Sequence, residues 1–241
     1  MLYKTQGIVL HSLPYKDVYT ILHIYTKDFG RVSYLVSRKS SKRSSLSRSL
    51  FMPLSILDLE VEHLNKRDIQ RIKEAHLSLS TSSLQADPVK NVLALFLSEV
   101  LFRVVKDTQA DERMYAFLTN SIRILEVTEK GIANFHLVFL LNLLHYLGIF
   151  PNTVRQHDEH YFDMLNGTFA RQQPTHPYFL TPAETVAWQR ILKMNYENMS
   201  LYSFSRQDRQ QIIQRIFEYY KLHLPEFSEI RSLQVLQSLF D

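Results

Sequence analysis

Cysteine is absent from this 241-residue chain, and glycine occurs only five times. Without thiols there is no disulfide framework, no thiolate nucleophile and no Cys-based metal site. The glycines (Gly7, Gly30, Gly131, Gly148 and Gly167) are too dispersed for a GxxxxGK or GxGxxG phosphate cradle. A nuclease would need clustered metal-binding carboxylates. The one close acidic pair near a helix start, Asp111 and Glu112, reads instead as N-terminal acids on a favourable helix dipole. The chain also lacks a basic-then-apolar leader and any clean apolar run of the roughly 20 residues that span a bilayer. FHLVFLLNLLHYLGIF comes nearest, but His136, Asn142 and His145 mark it as a buried helix of a bundle. The expectation is a soluble, cytoplasmic protein that is not an enzyme and carries no cofactor.

Charge, by contrast, is unevenly placed. The net charge is +4, yet residues 1–80 hold 13 Lys and Arg against 7 Asp and Glu, leaving 15 against 17 for the rest. A polyanion partner is therefore expected for the N-terminal part alone. The excess centres on Arg31–Arg48, RVSYLVSRKSSKRSSLSR, with six basic residues and no acidic one. From Ser37 to Ser49 the cations Arg38, Lys39, Lys42, Arg43 and Arg48 sit among serines, a composition too polar to bury and too charged to collapse without a counter-anion.

This stretch interrupts β-like sequence. Lys4–Leu13 is a strand candidate closed by Pro14, and Val18–Thr26 is rich in β-branched and aromatic residues. A turn at Gly30 leads to a strand with Val32, Tyr34 and Val36 on one face and Arg31, Ser33 and Leu35 on the other. Leu50–Glu62 alternates with a phase change that a bulge near Ile56 would explain. Asp68–Leu77 is a fifth strand by position more than by pattern. Five strands in so short a span predict a small closed barrel, of the OB-fold or SH3-like kind.

Ser78–Pro88 reads as a linker, placing a nucleic-acid-binding domain at 1–79 and an all-α domain at 80–241, an α+β chain overall. Helical spacing runs through Val89–Lys106 and Met114–Val127, and Phe135–Leu147 is apolar nearly all round, the central helix. The segment 151–182, with its prolines, reads as an irregular excursion. Thr181, Pro182 and Glu184 then form a capping signature, followed by helices at Arg206–Leu222 and Ser228–Phe240.

Three segments in this order, GIVLHSLPYKDVYTILHIYTKDFGRVSYLVSRKSSKRSSLSRSLFMPLSILDL, FHLVFLLNLLHYLGIFPN and YYKLHLPEFSEIRSLQVL, resemble the RecO family of bacterial recombination mediators. The last is similar to that family's terminal signature at Tyr220, His223, Leu224, Arg231, Ser232 and Leu236. The resemblance implies an N-terminal OB-fold on a helical domain, binding of single- and double-stranded DNA, and strand annealing. It also implies partnership with RecR and with the acidic C-terminal tail of single-stranded-DNA-binding protein. Many members are thought to hold zinc on four cysteines in the excursion, and this chain has none.

Candidate sites follow. Arg31, Arg38, Lys39, Lys42, Arg43 and Arg48 are the expected DNA-binding cations, and Tyr19, Phe29 and Tyr34 the candidate base-stacking rings among the aromatics that flank them, which include Tyr15 and Tyr25. For an acidic peptide with a hydrophobic anchor, the C-terminal helices offer Arg206, Arg209, Arg215, Lys221 and Arg231. His157, Asp158, His160, Asp163 and His176 lack the spacing of a zinc set, so packing of Tyr161, Phe162, Phe169, Tyr178 and Phe179 is expected to hold the excursion. An RNA-binding OB-fold protein and a protein-protein adaptor are the competing readings.

Overall fold

A computed structural model describes residues 1–37, 48–64, 66–106 and 109–239. Arg38, Lys39, Lys42 and Arg43 lie outside the described residues, and of Arg48 only the backbone, opening a 3-10 turn at Arg48–Phe51, is described. Five strands, β1 (Leu2–Tyr15), β2 (Tyr19–Thr26), β3 (Gly30–Ser37), β4 (Ile56–Glu62) and β5 (Ile69–Leu77), close a barrel in the order β1-β2-β3-β5-β4. All pairs are antiparallel except β3 with β5. That order is the OB-fold's, which decides between the two barrels the sequence allowed.

Period-two alternation fills the barrel. Leu22 and Ile24, then Val32, Tyr34 and Val36, then Leu57, Leu59 and Val61 all point inward with Ile72 and Ala75. The bulge expected near Ile56 is not there: β4 pairs with β1 without interruption from Glu62 to Ile56. The phase change has another cause, a left-handed turn at Leu54 (φ 61°) immediately before the strand. The register breaks instead between Val9 and His11 in β1 and where Glu60–Val61 of β4 meet β5. The second break explains the weak pattern of β5, since Gln70 and Ile72 face inward before the extra residue, and Ala75 after it.

Among the described residues seven α-helices follow: α1 (Ser82–Ala86), α2 (Pro88–Val104), α3 (Glu112–Val127), α4 (Phe135–Tyr146), α5 (Pro182–Ile191), α6 (Arg206–His223) and α7 (Ser232–Leu239). Asp87 caps α2 by accepting the amides of Val89 at 2.8 Å and Lys90 at 3.3 Å, and Thr181 with Glu184 forms the capping box expected for α5. Among the described residues no helix is long and apolar enough to cross a membrane.

By packing, the chain forms two compact units, one of residues 1–127 with 229–239 and one dominated by 128–228. The first joins the barrel to α1, α2, α3 and the C-terminal α7. In the second, α4 is buried along nearly its whole length, and Tyr220 of α6 donates its hydroxyl to the Leu140 carbonyl at 2.8 Å. The excursion is more ordered than its composition suggests. Its strands β6 (Tyr161–Asp163), β7 (Thr168–Ala170) and β8 (Phe179–Leu180) make a small antiparallel sheet in the order β7-β6-β8. Phe162, fully buried, lies 5.2 Å from the Phe169 ring and 5.7 Å from Trp188.

Candidate nucleic-acid interface

The outer face of β1, β2, β3 and β5 is built from the residues that alternate with the barrel core, and register sets them in rows. Tyr15, Tyr19 and Ser37 stand opposite one another at the end of the β1–β2 hairpin. Leu13, Ile21, Leu35 and Arg71 form the next row, and His11, His23, Ser33 and Ile69 the third.

The third row is covered by α2. The Phe102 ring lies 4.5 Å from His11 and 4.8 Å from His23, centroid to centroid. Burial, then the Arg31 charge and His11, push His23 down to about 4, so it is neutral near pH 7 and stands 3.0 Å from the Ser33 hydroxyl. In the first two rows Tyr15 and Tyr19 are 39% and 37% exposed and Leu13 42%, whereas Ile21 and Leu35 are half-buried. Lys16, in the hairpin turn, holds its ammonium 5.4 Å from the centroid of the Tyr15 ring.

Of the residues singled out from sequence, Tyr19 alone of the three rings keeps an open face. Tyr34 is 0% exposed in the barrel core, so it cannot stack on a base; its side-chain parity with Val32 and Val36 puts it there. Phe29 packs against the core, with one face stacked on His63 at 4.3 Å and Tyr3 edge-on at 5.4 Å. Its surfaces are used within the protein. Arg31 also serves the fold itself, because its guanidinium donates to the Phe102 carbonyl at 3.1 Å and sits 5.5 Å from that ring's centroid, fastening the barrel to α2. Tyr15 is the ring that residue type and neighbouring cations marked but did not single out; the signal that could have found it is its symmetry with Tyr19 about the KDV turn.

The five cations proposed for an acidic peptide are divided between the units, four on α6 and Arg231 just before α7. Arg215 is not free for a carboxylate ligand, because Glu184 takes two of its donors at 2.6 and 3.1 Å and Glu218 a third at 2.7 Å. Arg209 donates to the Phe204 carbonyl at 2.6 Å, while Arg206 and Lys221 are exposed. A cleft of about 540 Å³ beside α6, lined by Trp188, Ile191 and Ile212, also carries Glu184, Asp208 and Glu218 against the single cation Arg215. Its acidic balance disfavours an acidic ligand.

A second groove, of about 500 Å³, suits one better. It lies in the barrel unit between β1 and the α2–α7 pair, lined by Val9, Leu10, Phe51, Pro53, Leu95 and Val235 with the exposed Arg231 beside them. Its wall is tied by Glu99 of α2, whose carboxylate accepts the amides of Arg231 at 3.0 Å and Ser232 at 2.8 Å together with the Ser232 hydroxyl.

The excursion's polar residues do not fit the zinc that the resemblance implies. Asp163 accepts the amides of Leu165 at 2.9 Å and Asn166 at 3.0 Å and the Asn166 side chain at 2.7 Å, and stands 3.3 Å from His176 Nε2. Burial alone would raise its carboxyl, but Asn166 and then His176 outweigh this and hold it below the usual range. Asp158 pairs with Arg171 at 2.9 Å, and among the described residues no three His, Asp or Glu side chains converge as a metal set. Purified protein is expected to contain no stoichiometric zinc by elemental analysis and to melt at the same temperature with or without chelator. One zinc per chain would overturn that expectation.

Comparison with known proteins agrees along the whole chain. Residues 1–80 match the family model described as Recombination protein O N terminal, and residues 85–233 that described as Recombination protein O C terminal. The chain is 44% identical over its full length, and that of its relative, to the DNA repair protein RecO of Azobacteroides pseudotrichonymphae genomovar. CFP2. It is 40% identical to that of Phocaeicola vulgatus over the whole of both chains, and 31% identical to that of Flavobacterium psychrophilum over 98% of each.

Proposed function

Because the chain belongs to the RecO family of DNA repair proteins, we propose that it is a recombination mediator working in the cytoplasm without an active site of its own. It binds single- and double-stranded DNA through the barrel, anneals complementary strands, and helps load recombinase onto DNA coated by single-stranded-DNA-binding protein, in partnership with RecR. The observation that carries this reading is the open outer face of the OB barrel, whose third strand runs on in sequence into five further cations with no acid among them. Phosphate contacts of this kind bind irrespective of sequence, as strand annealing requires.

A mediator must also grip the protein that coats the strand. We assign the acidic tail of that protein to the groove beside Arg231, where an apolar wall desolvates a hydrophobic anchor and a cation meets the terminal carboxylate. Arg206 and Lys221 remain secondary candidates on α6.

The test is a titration of labelled single strand, duplex and structured RNA across salt, followed by annealing of coated complementary strands. Both DNA forms should bind with steep salt dependence, and annealing of coated strands should accelerate. Deleting the tail's last hydrophobic residue should abolish that acceleration, and Arg231→Ala should weaken tail-peptide binding about tenfold, the worth of one charge-assisted hydrogen bond. A preference for structured RNA with no effect on coated strands would turn the reading to an RNA-binding protein.

A further inference from the structure

The cleft beside α6, whose charge disfavours an acidic ligand, has a regular construction. From α5 it takes Glu184, Ala187, Trp188 and Ile191, and from α6 Asp208, Gln211, Ile212 and Arg215. Both sets follow the i, i+3, i+4, i+7 spacing that places four residues on one helix face, so each wall is a single stripe. Glu218 extends the α6 stripe by another turn. The lining is apolar between the acids: Leu180, Trp188 and Ile191 are at most 2% exposed, and Phe204 and Ile212 are half-buried. At about 540 Å³ the cleft falls in the range of roughly 300–1,000 Å³ that holds ligands.

We propose that this cleft docks a cationic amphipathic helix of a partner protein, one that lays an aliphatic stripe along Leu180, Trp188 and Ile191 and presents Lys or Arg to Asp208 and Glu218. The proposal stands apart from the DNA-binding reading. Charge selects the occupant. Three carboxylates against one guanidinium leave two net negative charges in the lining, and the guanidinium is already held by Glu184 at 2.6 and 3.1 Å and by Glu218 at 2.7 Å. Glu218 spends one oxygen on that pair and, among the described residues, keeps the other for a ligand. Asp208, exposed at the far end of the stripe, lies ten residues away, or about 15 Å along the helix axis. Two cations some three turns apart on an incoming helix meet both acids, with the aliphatic positions between them facing the apolar lining. A neutral apolar partner would desolvate these charges without compensation, and a nucleic acid or acidic peptide would be repelled by them. The helical unit thereby gains a protein-binding surface that phosphate does not compete for.

Trp188 is the only tryptophan in the chain, so its emission reports on this cleft alone. The experiment titrates the intact protein with an end-labelled synthetic helix of about 16 residues, leucines on one stripe and lysines towards both ends, following label anisotropy and Trp188 emission together. Two controls replace every lysine by glutamate or shuffle the order so that charge remains and the stripe is lost. The lysine peptide should bind saturably and shift the emission, and both controls should bind at least tenfold more weakly. Glu218→Lys should weaken the lysine peptide by about tenfold to a hundredfold, the worth of one charge-assisted hydrogen bond. Ala187→Phe, at an exposed position on the α5 wall, should block the cleft to a similar extent and leave DNA affinity unchanged. Circular dichroism and melting temperature check that each variant is folded, and should one not be, the other decides. Absence of saturable binding, equal binding of the three peptides, unmoved Trp188 emission while the peptide binds, or parental affinity in a folded variant would each overturn the proposal. None of these outcomes bears on DNA binding by the barrel.

Discussion

Changing Arg38, Lys39, Lys42 and Arg43 together to alanine is expected to weaken binding to unrelated DNA sequences alike, by about a hundredfold to a thousandfold near physiological salt. Each Lys or Arg that neutralises a phosphate releases condensed counterions and contributes roughly 0.7 to 0.9 to the slope of log affinity against log salt. Removing four such cations together should lower that slope by about three. These residues lie outside the described part of the structure, and the expectation rests on their density and on the absence of any acid between Arg31 and Arg48. Unchanged affinity with unchanged slope would remove this stretch from the interface.

The second large effect concerns Glu99. Its carboxylate ties α2 to the start of α7 through the amides of Arg231 and Ser232 and the Ser232 hydroxyl, with Arg103 one turn away at 3.9 Å. Glu99→Ala leaves two helix-start amides without their acceptor and should cost about 2–4 kcal/mol, since hydrogen bonds to a charged group contribute more than neutral ones. Limited proteolysis should then remove α7 first, and tail-peptide binding in the groove beside Arg231 should fall with it while DNA binding persists. The pH dependence has a definite sign. Burial pulls the Glu99 carboxyl upward, but the hydrogen bonds from Ser232 and Arg231 and the Arg103 charge outweigh it and hold the group below the ordinary glutamate range. A carboxyl lowered in the folded state stabilises fully above its unfolded value, near about 4.3, and that stabilisation fades as pH falls through the lowered folded value. Glu99→Gln should flatten the acid limb of the stability curve. An acid limb identical to the parent's would show that Glu99 does not fasten α7.

Much of the architecture is legible in the sequence because local signals agree with one another. The Val32–Tyr34–Val36 face, the Thr181 capping box and the apolar Phe135–Leu147 stretch each name one conformation, and each is found there. The misreadings have specific causes. Tyr34 suggests a stacking ring by residue type, although its parity with two valines already places it in the core. The phase change before β4 looks like a bulge, because a left-handed leucine such as Leu54 has no residue-type signature of the sort glycine provides. Arg215 and Arg31 look like free cations in the sequence since their partners, Glu184 and the Phe102 carbonyl, are 31 and 71 residues distant along the chain. That Tyr15 faces Tyr19 across the β1–β2 hairpin depends on strand register, which composition does not convey.

The attachment of α7 to the barrel unit also sets an order of events during synthesis. α3 leaves the ribosome roughly a hundred residues before α7, an interval of about 5 to 20 seconds at ordinary bacterial elongation rates. Throughout that interval the apolar side of α2 awaits its last neighbour, and Glu99 lacks the amides it will hold. The nascent barrel unit therefore keeps that side of α2 uncovered until translation is nearly finished, and a chain that stops short of Ser232 lacks its cover altogether.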